Sequence, residues 1–309
     1  MDVIVVGAGV IGLTTAVCLA ESGMRVTVRA AEPPERTTSV VAGAMCGLSA
    51  TGPDDPATRW TELATPEFLA LARRPGTGVH MLRGRLVSNW GDAPPPWAAT
   101  LPGYAPCTDD ERAGYRVGFW VELPFADMPV YLAYLADRLA RAGGAVEIGR
   151  VDDLAALATS GTTVVNCTGV GARALVPDPL VRAVKGQHVV VENPGLDGFL
   201  FEGGSPDAWV GYFPHGDRVV LGGVALDDDW DPDPDPAVTE QILTRCAAVE
   251  PKLAGARVIR TEAGLRPVRP AVRLEAEGNV VHNYGHGGVG VTLSWGCARD
   301  VVALISPRK

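Results

Sequence analysis

Val3-Ile4-Val5-Val6-Gly7-Ala8-Gly9-Val10-Ile11-Gly12-Leu13 stands at the start of the chain, and this stretch decides the fold. Val3 to Val6 is an unbroken β-branched run, the pattern of a strand buried on both faces rather than half exposed. The three glycines that follow each have a physical task. Gly7 permits the tight turn, Gly9 lets a pyrophosphate approach the backbone, and Gly12 lets helix and strand pack closely. Ala8, Val10 and Ile11 complete the loop, and the helix start beyond them offers amide hydrogens and partial positive charge to phosphates. Leu13 to Ser22 reads as the helix, Gly23 as its stop, and Val26-Thr27-Val28 as a second strand. Strand, glycine turn, helix and strand make a βαβ unit for a dinucleotide. The acidic residue that usually holds the adenosine ribose is displaced: the slot at the end of the second strand is Ala30. Glu32 is then either the ribose ligand or a solvated loop carboxylate.

Composition narrows the class. With 309 residues, two domains are expected. Gly 37 and Pro 25 approach a low-complexity content, but 47% hydrophobic residues exclude a disordered chain. A net charge of −9 argues against a non-specific grip on nucleic acid or anionic lipid. Lys185, Lys252 and Lys309 are the only lysines, a preference for Arg that GC-rich, typically bacterial, coding produces. The 6 cysteines are scattered with no C-x-x-C, which excludes a zinc motif and favours reduced thiols; no metal site is expected. No apolar run reaches the roughly 18 residues of a membrane span. Asp2 stands where a signal peptide would be basic, and Ser306-Pro307-Arg308-Lys309 carries no peroxisomal address. Cytoplasm is the expected location.

Further along, a helix is expected over 65–74 and another over 128–142. Short strand-like pieces separated by Pro and Gly fill 75–126, and alternating strands fill 186–224. Val164-Val165-Asn166-Cys167-Thr168-Gly169 is another buried strand running into a glycine. Asp227 to Pro236 reads as a solvated acidic turn, followed by a helix over 237–249. The expectation is an α/β chain with interleaved domains. Residues 1–62, 128–180 and 275–309 form a Rossmann-like nucleotide-binding domain. Residues 63–127 and 181–274 form an α+β substrate domain on a mixed or antiparallel sheet.

Tyr284-Gly285-His286-Gly287-Gly288-Val289-Gly290-Val291-Thr292 is a second glycine-rich start of a helix. An NAD enzyme with one nucleotide motif does not need it, whereas an enzyme holding a whole FAD does. A helix N-terminus aimed at a flavin stabilises negative charge on its reduced form. Together with GAGVIGL at 7–13, TTSVVAG at 37–43, VVNCTGVGARAL at 164–175 and GLRPVRPAVRLE at 264–275, this segment resembles the D-amino acid oxidase family over nearly the whole chain.

The resemblance implies FAD as cofactor and a D-amino acid and O2 as small-molecule partners. In that family a neutral D-amino acid passes its Cα hydrogen as hydride to flavin N5, and O2 reoxidises the flavin to give hydrogen peroxide. Catalysis is then positioning and electrostatics, so no His/Asp/Ser constellation is required. The implied FAD contacts are the 7–12 turn, Glu32, Thr37, Thr38, Ser39, Gly43, Ala44, Met45, Val164, Cys167, Thr168, Gly169 and Gly285 with 287–292 (Gly287, Gly288, Val289, Gly290, Val291, Thr292). Arg266 is the implied partner of the substrate carboxylate, since a guanidinium grips it bidentately. Arg269 and Arg273, on the opposite parity of the same extended stretch, read as structural. Backbone groups at Gly287 and Gly288 would face the flavin and the substrate ammonium.

The family also presents a tyrosine three residues before a strand proline. Counting back from Pro214 gives Gly211, not Tyr. Tyr212 would reach the substrate only through a bulge at Gly211, Trp209 has the parity of Gly211, and core packing is the remaining alternative. His286 is expected to pack or bond the backbone rather than act in catalysis. Neutral D-amino acids are the expected substrates, with D-aspartate or glycine oxidase chemistry as the nearest alternative. An NAD-dependent dehydrogenase and a non-catalytic flavin-binding protein are the alternatives of another class. A homodimer is expected.

Overall fold

The N-terminal apolar run forms a strand, and the helix after it begins inside the glycine motif, at Val10 rather than Leu13, with Gly9 as its N-cap. The structure is a computed structural model that describes residues 1–48, 52, 54–158, 161–203 and 208–306; the C-terminal Pro307, Arg308 and Lys309, read above for a targeting address, lie outside the described residues. In chain order the elements are β1 (Asp2–Val6), α1 (Val10–Glu21), β2 (Arg25–Ala30), α2 (Pro56–Leu71), β3 (Val79–Ser88), β4 (Ala105–Pro106) and β5 (Val117–Ala126). Then come α3 (Met128–Arg141), β6 (Ala145–Ile148), β7 (Thr162–Asn166), α4 (Ala172–Leu175), β8 (Arg182–Glu192), β9 (Phe199–Glu202), β10 (Ala208–His215) and β11 (Arg218–Val224). The chain ends with β12 (Leu226–Asp227), α5 (Pro236–Val249), β13 (Val258–Glu277), β14 (Val280–His286) and α6 (Gly290–Ile305).

Two units interleave along the chain. One comprises Met1–Val79, Ala126–Val184 and Leu265–Lys309, the other His80–Phe125 and Lys185–Gly264. These limits differ from those expected from sequence: residues 63–79 and 265–274 belong to the first unit. The first of these shifts has a local cause. Helix α2 starts at Pro56, capped by the Asp55 carboxylate, which accepts from Ala57 N at 2.8 Å. It continues through Pro66 to bury Trp60, Ala64, Phe68 and Leu71.

In the first unit the strands lie in the order β13-β14-β7-β1-β2-β6. Val3 stands opposite both Val26 and Thr163, Val280 opposite Val164, and Thr27 opposite Ala145, all in parallel pairs. Only β13 runs antiparallel, to β14. The central β1 and β7 bury Val3, Val5, Val164 and Val165, as their continuous apolar runs require. Helix α1 packs on α6 and α3, and α6 packs on α2. At the α2–α6 crossing a Cβ on Gly296 would run into the Trp60 backbone, so only glycine allows it. Leu13, Val17, Phe68, Leu135 and Trp295 fill the core between them, each worth roughly 1.5–3 kcal/mol of burial. The stretch Gly287–Ile305 passes a membrane-span test by length and mean hydropathy (1.3), as a buried core helix does, and 56% of its apolar window is buried within the protein.

In the second unit the order is β4-β5-β3-β9-β10-β11-β8, with β12 beside β8. The sheet is mixed: β3 and β9 are parallel, while β9, β10, β11 and β8 alternate in direction. Helix α5, capped by Asp235, covers one face with Val238, Ile242 and Cys246 against Val189, Leu200, Val219 and Leu221. The acidic turn is more than a solvated loop. Buried Lys185 Nζ lies 3.6 Å from carboxylates of both Asp229 and Asp231, and Gln187 bonds both the N–H and the C=O of Asp235.

Candidate active site

The glycine turn is built as its sequence requires. Gly7 has φ +114°, and a Cβ there would run into the Cys167 carbonyl; a Cβ on Gly12 would run into the Gly7 carbonyl. Gly9 differs, because its Cβ position is only 3.0 Å from the hydroxyl of Ser39, a side chain able to move. Ser39 Oγ accepts the Val10 amide hydrogen at 2.9 Å, which ties the 37–45 loop to the start of α1. Thr37 turns inward to donate to Pro34 O at 2.8 Å, and Thr38 is exposed. Ala44 takes the left-handed φ of +47°, Gly43 precedes it, and Met45 O accepts from Thr292 Oγ1 at 3.2 Å. The loop thus bridges the starts of α1 and α6.

Those two helix starts converge. A Cβ on Gly290 would meet His286 Cβ at 3.5 Å and Ile11 Cδ1 at 3.9 Å. Gly285 and Gly287 have φ of +88° and +53°, conformations only glycine takes readily. No acidic residue lies in the first turn of α1 or α6, so no carboxylate within either turn offsets the positive field of its N-terminus. Val289 is exposed at the tip of the second start, whereas Val291 is buried. His286 is buried, and its Nε2 has no hydrogen-bond partner among the described residues. Burial lowers its pKa to about 3, which keeps the ring neutral at working pH.

At the end of β7, Val164 is fully buried and Cys167 nearly so, with burial raising the thiol to about 12. Thr168 bonds Asn166 Oδ1 through both its N–H and its hydroxyl. Gly169, at φ +57°, packs on the Pro267 ring. The next residue before that proline is Arg266, half-buried, its pKa lowered by burial. Its side chain lies along Gly288, with Cδ 3.5 Å and Nε 3.7 Å from where a Cβ would stand. Arg269 and Arg273 are engaged in the fold: the first bonds Asp178, the second Glu275, Glu277 and Tyr284.

Three candidates are placed differently from expectation or resolved between alternatives. Glu32 lies beyond the end of β2, exposed, with its carboxylate 3.7 Å from Arg36; the strand-end slot is the buried Ala30. The solvated reading therefore fits Glu32. The β10–β11 ladder does slip between Ala208 and Gly211, but Tyr212 still shares the α5 face with Val210 and is buried in that core. Its hydroxyl accepts from Arg85 Nη2 at 2.7 Å. Of the readings left open for β10, core packing is the one that fits Tyr212, because alternation along β10 survives the slip. Trp209 is on the other face, with Gly211 and Phe213. Its indole covers Gly211, Gly222 and Gly223, where any Cβ would collide with it, and meets Phe201 edge-on at 5.2 Å. Asp178, to which Arg269 and Tyr284 both bond, was not expected at all; a single aspartate among loop residues carries no local signal.

Glycine cradles at two converging helix starts, first turns free of carboxylates and an orphaned buried imidazole nitrogen fit a long, anionic, flat cofactor. They define a flavin-dependent oxidoreductase. The chain belongs to the DAO family of FAD dependent oxidoreductases, whose model matches residues 2–304. It is 49% identical to a D-amino-acid oxidase of Streptomyces coelicolor, over 99% of this chain and 97% of the relative. A D-amino-acid oxidase of Rubrobacter xylanophilus is 45% identical over 97% of this chain and 94% of its own. Among solved structures, the glycine oxidase of Geobacillus kaustophilus superposes with a TM-score of 0.81 at 20% identity, covering 98% of this chain and 94% of that one. That likeness concerns the fold alone. FAD is the cofactor of this chain, as its family requires.

Proposed function

We propose that this chain oxidises neutral D-amino acids with O2 to 2-oxo acids, ammonia and hydrogen peroxide, and that Arg266 anchors the substrate α-carboxylate. The observation that carries the reading is the position of Arg266, a guanidinium drawn into a half-buried site along Gly288. A charge there favours an anionic partner, and a planar fork matches a carboxylate bidentately. The names of the two relatives at 49% and 45% identity agree with it.

The residues that would hold FAD follow from the cradles. The amides of Gly9, Ile11 and Gly12 beside the Ser39–Val10 bond suit the pyrophosphate, Val164–Gly169 the adenosine side, and 285–292 the flavin ring, with Ala44, Met45 and Thr292 joining the two helix starts. Bound there, FAD supplies the two-electron acceptor for the Cα hydrogen and returns the electrons to O2. What the chain adds is orientation: Arg266 fixes the carboxylate, and Gly287 and Gly288 leave backbone room beside it. His286, neutral at working pH, is not assigned a proton-transfer role.

Of the two aromatic candidates the proposal keeps Trp209, since Tyr212 is occupied in the α5 core. The basic groups nearest in sequence are also engaged: His215 meets His80 edge-on at 5.1 Å, and Arg218 lies 3.7 Å from Asp217. This favours a neutral side chain over an acidic one. A cytoplasmic location without nucleic-acid or membrane partner belongs to the same proposal, supported by the acidic charge, by six free thiols and by the burial of α6 in its own unit; a homodimer is proposed with it, and light scattering of the purified protein tests the dimer.

The deciding experiment compares peroxide release from D-alanine, D-valine, D-aspartate and glycine, with anaerobic bleaching of the flavin by each. Turnover of D-alanine or D-valine with bleaching is expected. A strong preference for D-aspartate, or no bleaching at all, overturns the proposal.

A further inference from the structure

Between Val268 and Arg273 the β13–β14 ladder breaks. Val268 lies opposite His286, yet Arg273 lies opposite Tyr284, so β13 carries more chain than β14 across the same interval. Such a slipped segment needs holding by side chains, because the ladder no longer does it. Here a single carboxylate does so. Arg269 Nε donates to Asp178 Oδ2 at 3.0 Å. Tyr284 Oη donates to the same oxygen at 2.8 Å while accepting from Arg273 Nη1 at 2.9 Å. Both ends of the slipped segment therefore report to one oxygen atom. The other oxygen accepts from Leu180 N at 3.0 Å, and Asp178 is only 6% exposed, so the carboxylate is itself fixed.

The consequence reaches Arg266 by two routes. Along β13, Arg266 lies immediately before the slipped segment. Across to β14, the Arg269 stem stands 2.9 and 3.2 Å (Cβ and Cδ) from where a Cβ on Gly285 would be, pressing on the residue whose left-handed backbone begins the Gly285–Gly288 turn. Arg266 lies along the end of that turn, at Gly288. We propose that Asp178 is a positioning residue for the oxidation: by holding Arg269 and Tyr284 it sets Arg266 against the Gly285–Gly288 turn. This rests on Arg266 being the carboxylate anchor.

The test is a double-mutant cycle on the flavin-loaded enzyme with D-alanine. Asp178→Asn keeps the size of the side chain but cannot accept at all three of its contacts. It is expected to raise KM about 10- to 100-fold, the scale of a misplaced binding group, with kcat moved far less. Arg269→Lys, which keeps the stem on Gly285 but loses Nε, should shift KM in the same way, and it stands in if Asp178→Asn does not fold. Added to Arg266→Ala, either change should raise KM no further, because it acts through a group already removed. If the two effects multiply, or if Arg266→Ala raises KM while Asp178→Asn and Arg269→Lys leave it alone, this inference falls and the anchor stands. If Arg266→Ala leaves KM unchanged, the anchor itself falls, and the inference with it.

Discussion

Ser39 Oγ accepts the Val10 amide hydrogen at 2.9 Å, bridging 29 residues of chain. The bond fixes the first turn of α1 and holds the 37–45 loop against the glycine motif at once. Ser39→Ala leaves that amide without its acceptor, a cost of about 1–3 kcal/mol, and frees the loop. The expected result is a folded enzyme that loses FAD on dialysis faster than wild type, with a lowered Tm. Unchanged flavin retention would show that the loop plays no part in the cradle.

The motif glycines separate into two kinds. A Cβ on Gly12 meets the Gly7 carbonyl, and backbone on both sides cannot yield. Gly12→Ala should therefore cost about 1–3 kcal/mol of overpacking or more and give a protein isolated largely without flavin. A Cβ on Gly9 meets only the Ser39 hydroxyl, at 3.0 Å. Gly9→Ala should fold nearly as well as wild type yet bind FAD more weakly. Thermal melts and the ratio of flavin to protein absorbance measure the two effects, and equal loss of stability in both variants would contradict the assignment.

Trp209 and Tyr212 occupy opposite faces of β10, so their variants should fail differently. Tyr212→Phe removes the part-buried bond from Arg85 and should cost about 1–3 kcal/mol without moving KM. Trp209→Leu opens space above Gly211, Gly222 and Gly223. It should raise the kcat/KM ratio of D-phenylalanine to D-alanine about ten-fold, the scale on which pocket volume discriminates. A KM effect from Tyr212→Phe, or an unchanged ratio in Trp209→Leu, would reverse the roles assigned to these two residues.

What sequence could and could not tell follows from the range of each interaction. Gly7, Gly9 and Gly12 act on neighbours within one turn, so their spacing alone carries the βαβ unit. The Asp55-Pro56 start of α2 is equally local, yet the helix expected over 65–74 begins nine residues earlier, at Pro56, and carries Pro66 inside it. Asp178 is different: its partners Arg269 and Tyr284 are 91 and 106 positions away, and no periodicity spans that distance. The indole of Trp209 likewise rests on Gly222 and Gly223 from the next strand, and Lys185 on β8 reaches Asp229 and Asp231 beyond four intervening strands. Alternation along β10 was legible; which face the helix covers was not, because α5 follows it by more than twenty residues in the chain.

His286 also makes stability depend on pH in a direction that can be worked out. Burial lowers its pKa from 6.5 to about 3 in the folded chain, whereas the unfolded chain keeps the ordinary value. Above pH 6.5 both states are neutral and the ring costs nothing. As pH falls below 6.5 the unfolded state binds a proton that the folded state refuses, so stability drops by up to about 1.4 kcal/mol per pH unit toward pH 3. His282, lowered first by burial and then by Arg273, acts with the same sign. Carboxylates held low, such as Asp178, weaken the fold only at more acidic pH. Melts of wild type and His286→Gln at pH 7, 6 and 5 should therefore diverge: the variant, lacking this buried ring, loses less Tm on acidification. Parallel losses in the two proteins would mean that His286 gains a partner or a proton in the folded state, and the neutral ring with its orphaned Nε2 before α6 would have to be abandoned.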